Sequence, residues 1–362
     1  MPVLNFQPLT TADKTTTRTL LHEAIPITGT ILTGAYAAGA NIKNYTHGQF
    51  QSVYDYPYLS SSANHIFDIS VGYDESSVLS SSAVAGTGAQ IAKKINMYNE
   101  YAQVLLGFTG SNNTVEIFES DLSFVDNNAQ IKESFFVNFS RLLTKDQIKK
   151  GSFSITVSSG SWGNGTPGNA VFDSGLITLT DASASEGTNA GVKNTLGGDY
   201  GVLYTSGNTA HGIVFYQAGC VILSSSLWAG ISDFNSGSAL SASGDNTPMT
   251  VEQSLVSASI SGSCDALRHR IKTLSFNNTT EINSSIYFCR VPHNKFNYSS
   301  NPTYLSGSKI RVKLTADSQP VSYITTIGLY NTAGELLAVA KLSEPLRKDP
   351  NNEVTLRVRL DY

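Results

Sequence analysis

From Ser152 onward the sequence breaks into short apolar runs, FSITV, LITLT, YGVLYTSG and GIVFYQAGCVIL, separated by loops rich in Gly, Ser and Asn. Runs rich in Val, Ile, Thr and Tyr and bounded by such residues read as strands. The strict alternation of strands and helices that builds a doubly wound sheet is absent. The expected fold is therefore α+β and β-dominated, with antiparallel sheets or sandwich-like units and a few inserted helices.

Four segments follow from the texture of the chain. Residues 1–65 read as an N-terminal arm and loops, because Gly and Pro interrupt every helical period there. Residues 66–151 read as a mixed segment. It opens on a strand near Ile66–Tyr73 and continues into AQIAKKINMYNEYAQVLLGF, where Ile91, Ile95, Tyr98, Ala102 and Leu105 recur at helical spacing and Gly107 supplies a stop. In TKDQIKKG, Thr144 with Gln147 has the form of a capping box, which predicts a short helix ended by Gly151. Residues 152–305 read as a β-rich, Gly/Ser-rich domain. Its predicted helices are TPMTVEQSLVSASI, capped by Thr250, and CDALRHRIKTLSF. Residues 306–362 read as an antiparallel β unit, whose last strand alternates Val354, Leu356, Val358 and Leu360 with polar neighbours.

Composition narrows the function. Charged residues make up 14% of the 362, against about 25% in ordinary soluble domains. A surface of neutral Ser, Thr, Asn and Gly repels its neighbours weakly and suits a subunit packed among others. The net charge of -4 argues against nucleic acid as a partner. No apolar run approaches the roughly 20 residues needed to cross a bilayer, so no membrane partner is expected. The first residues lack the pattern of a secretory leader, which predicts synthesis in a cytoplasm without standard export. Cys220, Cys264 and Cys289 read as buried thiols in a reducing compartment.

Motifs for chemistry are weak. GNGTPG at 163–168 satisfies G-x-G-x-x-G, but Pro167 lies inside it and a strand-like run follows, so a hairpin loop is expected and no cofactor. The histidines are scattered; His47, Asp55, His65 and Asp68 are the densest group and carry no metal-site spacing. No nucleophile elbow is present. The chain is expected to be no enzyme.

Two stretches read as contact surfaces. In VYDYPYL the residues are Tyr54, Tyr56, Tyr58 and Leu59, rigid aromatic area among hydrogen-bonding neighbours. In YITTIGLYNTAGELLAVAKLSEP they are Tyr323, Ile327, Leu329, Tyr330, Leu337 and Val339. One alternate set of the first strand there is Tyr323, Thr325, Ile327 and Leu329; the other is Ile324, Thr326, Gly328 and Tyr330. Both carry apolar residues, so both faces are expected to be covered. The N-terminal arm is a third candidate contact element.

The wording of the C-terminus, PVSYITTIGLYNTAGELLAVAKLSEPLRKDPNNEVTLRVRLDY, resembles a theme of tailed-phage structural proteins. TRTLLHEAIPITGTI, HGQFQSVYDYPYLSSSANHIFD, KKINMYNEYAQVLLGF and FFVNFSRLLTKDQIKKGSF are similar to an uncharacterised virion-protein family of T4-like and marine phages. The resemblance implies a structural subunit assembled in a bacterial host cytoplasm and located in the virion, without fixing its place in the particle; the reading preferred here is a tail, baseplate or neck component. Its partners are then copies of itself and other virion proteins. The alternatives are a tail appendage that binds a receptor or degrades a host-surface glycan, and a capsid decoration protein. The resemblance transfers no catalytic residue.

Overall fold

The computed structural model describes residues 6–28, 40–81, 88–108, 114–124, 128–160, 174–184, 191–235, 248–298, 305–306, 309–310 and 321–362. The GNGTPG loop lies outside them. The chain divides into two compact units, residues 21–280 and residues 1–20 with 281–362.

The strands of the larger unit are β1 (Lys14–Thr28), which enters it from the smaller one, β2 (Ile42–Asn44), β3 (Gln51–Tyr54), β4 (His65–Tyr73), β5 (Glu133–Phe139), β6 (Gln147–Ile148), β7 (Ser154–Ser158), β8 (Leu176–Thr180), β9 (Val192–Thr195), β10 (Gly198–Tyr204), β11 (Ala210–Phe215) and β12 (Cys220–Ser224). β13 (Ile271–Val291) leaves it again. The sheet order is β13-β7-β8-β10-β11-β12-β5-β4-β3-β2, with β9 on β10, β6 on β13 and β1 beside β13. From β2 to β13 the pairs are antiparallel. Among the described residues four α-helices are inserted: α1 (Gly88–Leu105), α2 (Arg141–Thr144), α3 (Val251–Ser257) and α4 (Ile260–Arg270). The fold is thus β-dominated around a large antiparallel sheet. No helix among the described residues is long and apolar enough to cross a membrane.

Strand β5 shows what organises this unit. Phe135, Val137 and Phe139 join one apolar cluster with Ile69, Val71, Trp228, Leu255 and Leu267. Phe136, on the other face, joins a second with Tyr98, Ala102, Phe118 and Phe215. Tyr101 stacks on Phe136 with ring centroids 4.2 Å apart. Helix α1 comes so close to β4 that a Cβ on Gly72 would meet Lys94 O at 2.6 Å and Tyr98 N at 2.8 Å. The buried Lys94 ammonium donates to Leu255 O and Ala258 O, both at 2.6 Å, at the C-terminal end of α3. Positive charge is favoured at that end of a helix.

The helix over 88–105 forms as its periodicity predicts, and Gly107 ends it at φ +97°. Thr250 caps α3 in a reciprocal capping box with Gln253. Three expectations fail. The TKDQIKKG helix does not form: Lys145 takes φ +56°, Ile148 N donates to Tyr216 O, and Gln147–Ile148 pair with β13. CDALRHRIKTLSF is helical only to Arg270, because Ile271, Thr273, Leu274 and Ser275 are drawn into register with β7, with an irregularity at Lys272. Much of 1–65, expected as arm and loops, is strand: β1, β2 and β3.

The smaller unit holds the start of β1 and the end of β13, with β14 (Leu305–Ser306), β15 (Lys309–Ile310), β16 (Ser322–Tyr330), β17 (Leu336–Lys348) and β18 (Val354–Asp361). β18 pairs antiparallel with β13, Val358 opposite Tyr287 and Leu356 opposite Cys289. Its alternation holds: Val354, Leu356, Val358 and Leu360 are covered, and the residues between them are exposed. Strands β16 and β17 form a sheet of their own.

Candidate functional site

Two regions gather the residues that the sequence singles out, one in each unit. In the larger unit the outer strands β2, β3 and β4 carry polar and aromatic side chains. Lys43 lies opposite Ser52, Ser52 opposite Asp68, and Tyr54 opposite His65. Ser52 Oγ donates to Asp68, and His65 Nε2 lies 2.8 Å from Asp68 Oδ1. Tyr54 packs against His65 at 5.5 Å and Tyr58 at 6.2 Å. A second group, Tyr45, His47 and Phe50, meets at 4.8–5.1 Å around the turn that ends at Gly48, with the Lys43 ammonium 4.7 Å from the Tyr45 ring. Tyr54 is half-buried, and burial raises its phenol pKa. Tyr56, Tyr58 and Leu59 are exposed, Leu59 by 87%.

This patch does not assemble a metal centre. Asp55 accepts from Asn64 N at 2.6 Å and Asn64 Nδ2 at 2.8 Å, while His47 Nδ1 accepts from Gln49 N. Those two side chains are engaged with backbone and amide donors. Among the described residues no group of three or more His, Cys, Asp or Glu could hold a metal ion.

The second region is the β16–β17 hairpin. Its register pairs Ile327 with Ala340, Gly328 with Val339, Leu329 with Ala338 and Tyr330 with Leu336. Toward the base, Ile324 pairs with Leu346 and Tyr323 with Arg347. Ile327 and Leu329 are half-buried, while Tyr323, Tyr330, Leu336, Leu337 and Val339 are exposed, Leu337 by 68%. Neither alternate set of β16 is fully buried. Asn331 Oδ1 accepts from Glu335 N at 2.8 Å, closing the turn at the tip, and Gly334 supplies φ +82°. At the base, the buried Lys348 ammonium donates to Asn297 Oδ1 at 2.6 Å and Asp349 O at 2.7 Å, which pins the hairpin to its own unit.

Residues that the sequence did not single out join both regions. Phe6 meets Tyr330 edge-on at 5.0 Å, and Leu336 sits across from Tyr330. A lone Phe in a polar stretch has no period to mark it. Tyr45 and Phe50 converge with His47, which the sequence marked only as a possible ligand, through their turn.

Burial acts on all three thiols. Cys220 and Cys264 are buried, and burial pushes Cys220 up to about 12 and Cys264 well above its ordinary value; Cys289 is half-buried and also raised. A thiolate, the reactive form, is disfavoured at all three. The chain matches no protein-family model, no curated protein and no solved structure.

Proposed function

We propose that the chain is a structural subunit of a tailed-phage virion, a tail, baseplate or neck component that works through contacts with copies of itself and other virion proteins. The observation that carries this reading is the hairpin. An isolated pair of strands is at best marginally stable in water. This one exposes Tyr323, Tyr330, Leu336, Leu337 and Val339. Covering the exposed part of Leu336, Leu337 and Val339 gains a fraction of the about 1.5–3 kcal/mol that full burial of such a side chain is worth, so a covering subunit is stabilised at this face. The low charge of the chain adds to this, since neutral surfaces pack without strong repulsion.

The resemblance of the C-terminal wording to phage structural proteins supplies the particle; the hairpin supplies the mechanism. The sandwich-like reading of the large unit has the support of Phe139 on β5, which meets Phe276 at 4.9 Å and Phe153 at 6.2 Å. Immunogold labelling of intact virions tests the proposal, with label expected on tail, baseplate or neck. Label on the head would favour capsid decoration, and no label on purified virions would sink the virion reading.

One observation favours a second reading. Exposed Tyr58 packs on Tyr54, which packs on His65 of the His65–Asp68 pair, and aromatic faces next to hydrogen-bonding groups are what a sugar ring needs. A tail appendage that touches host-surface glycan would use that patch. Binding of the purified chain to host glycan, lost in Tyr58→Ala, would move the balance to this reading.

A further inference from the structure

The two strands of the hairpin treat their outer edges differently. Strand β17 carries the devices that keep an edge from pairing. Leu337 has no residue opposite it, because Tyr330 pairs with Leu336 and Leu329 with Ala338. The stretch Leu342, Ser343, Glu344 and Pro345 is likewise displaced from the ladder, facing Thr325 alone. Lys341, Arg347 and Lys348 add charge to that strand. Strand β16, SYITTIGLY, has no proline, no charge and no extra residue of this kind, and it is dominated by β-branched and aromatic residues. Among the described residues it pairs with β17 only.

We infer that β16 is the edge at which a second copy of this chain adds its own β16, antiparallel and about a two-fold axis, joining two hairpins into one four-stranded sheet. The inference rests on the assembly reading above and names the partner and the mode of joining. Three features point to a second copy. The strand has no charge, so its own image brings no like charge against it. Full overlap of Ser322–Tyr330 with itself centres on Thr326, which then faces Thr326 of the other copy. Tyr323 comes opposite Leu329, Ile324 opposite Gly328, and Thr325 opposite Ile327. Every pair stays within one alternate set, so apolar residues meet apolar or small ones on each face.

The antiparallel sense is the one that a two-fold axis normal to the sheet produces. Arg347 lies 3.5 Å from Asp349 and the Lys348 ammonium is buried within its own unit, so the base of the hairpin sets no unpaired charge against the other copy's tip. A two-fold interface is also closed, so it makes a defined dimer and not an open filament. The joined sheet has the strands that a lone hairpin lacks, and its faces are broad enough to seat other subunits.

The test uses the purified full chain with Cys289→Ser, so that only buried thiols remain besides the one introduced. Thr326→Cys is expected to link two copies through a short bis-maleimide, and Ser343→Cys, in the displaced stretch of β17, is expected not to. Thr326→Asp, which sets two carboxylates face to face, is expected to turn the dimer into a folded monomer with an unchanged circular dichroism spectrum. Equal linking at 326 and 343, or a dimer that survives Thr326→Asp, overturns the pairing. A chain that stays monomeric when pure, yet is shut out of particles by Thr326→Asp, takes its strand from another protein; self-pairing is then wrong and the assembly reading stands. A wild-type chain absent from virions removes the assembly reading itself, whatever the linking shows.

Discussion

Strands β5 and β16 are written alike and live differently. ESFFVNF and SYITTIGLY both place large apolar side chains on both faces. In β5 the two faces enter two separate clusters, and Phe135, Phe136 and Val137 are fully buried. In β16 neither face is fully covered, and Tyr323 and Tyr330 stand open. A two-faced apolar strand needs a layer on each side. The larger unit supplies both layers from its own helices and loops; the smaller unit leaves the hairpin short of them. The same pattern thus marks a completed core in one place and an unfinished one in the other.

The sharpest way to break this contrast is to hollow out the finished core. Phe136→Ala removes the ring on which Tyr101 stacks and which Tyr98 and Phe118 approach edge-on. The expected loss is about 3–5 kcal/mol of unfolding free energy, read from the midpoint of a chemical denaturation curve. A loss below about 1 kcal/mol would mean that β5 is no more dependent on its layers than β16 is.

Next in size is Gly72→Ala. The added methyl meets the backbone of α1 at Lys94 and Tyr98, and backbone cannot swing away as a side chain can. A loss of about 1–3 kcal/mol is expected. The matched change on the open strand is Gly328→Ala, where the new Cβ would meet the Tyr330 ring and Leu336. Those are exposed side chains that can rotate aside, so the cost there is expected to be smaller. Thermal melts of the two variants compare a closed layer with an open one directly.

A pH effect sharpens the comparison from the buried side. His269 sits buried in the last turn of α4 with Nδ1 2.7 Å from Asp265 O one turn back, and burial, with the Arg268 charge beside it, pushes its pKa down to about 4. The unfolded chain binds a proton on this imidazole below about 6.5, and the folded chain does so only near 4. Stability from His269 is therefore full above about pH 6.5 and is lost as pH falls toward 4. Wild type is expected to lose more stability between pH 7 and pH 5 than His269→Gln does. Equal losses would show that this histidine does not titrate out of register with the unfolded state.

Two identical local patterns show where the sequence was legible and where it was not. Thr250-x-x-Gln253 and Thr144-x-x-Gln147 both spell a capping box. The first forms, because Val251 and Leu255 then turn inward on a helix. The second does not, because Ile148 is fully buried between β13 and Tyr216 O and its backbone is claimed by the sheet. A local signal survives only where the long-range partner agrees with it. The same logic governs the candidate sites. Tyr323, Tyr330, Leu337 and Val339 stood out as candidate contacts because the hairpin's first strand carries apolar residues in both alternate sets. Phe6 was not, since its meaning lies in Tyr330, far along the chain.

The smallest expected effect on the isolated chain is Leu337→Ser, and its smallness is the point. Leu337 is 68% exposed and has no residue opposite it in β17's ladder with β16. Away from buried features, surface substitutions change stability by about 0.5 kcal/mol or less, so the denaturation midpoint should scarcely move. If the hairpin face is covered in the particle, the same variant loses apolar area at a contact and should enter virions poorly. Quantitative immunoblots of purified virions, with wild type and Leu337→Ser expressed at equal levels, read that second effect. Full incorporation together with an unmoved midpoint would make Leu337 ordinary surface and confine the join to the β16 edge. A large drop in monomer stability would mean the opposite, that the hairpin already belongs to a core within one chain.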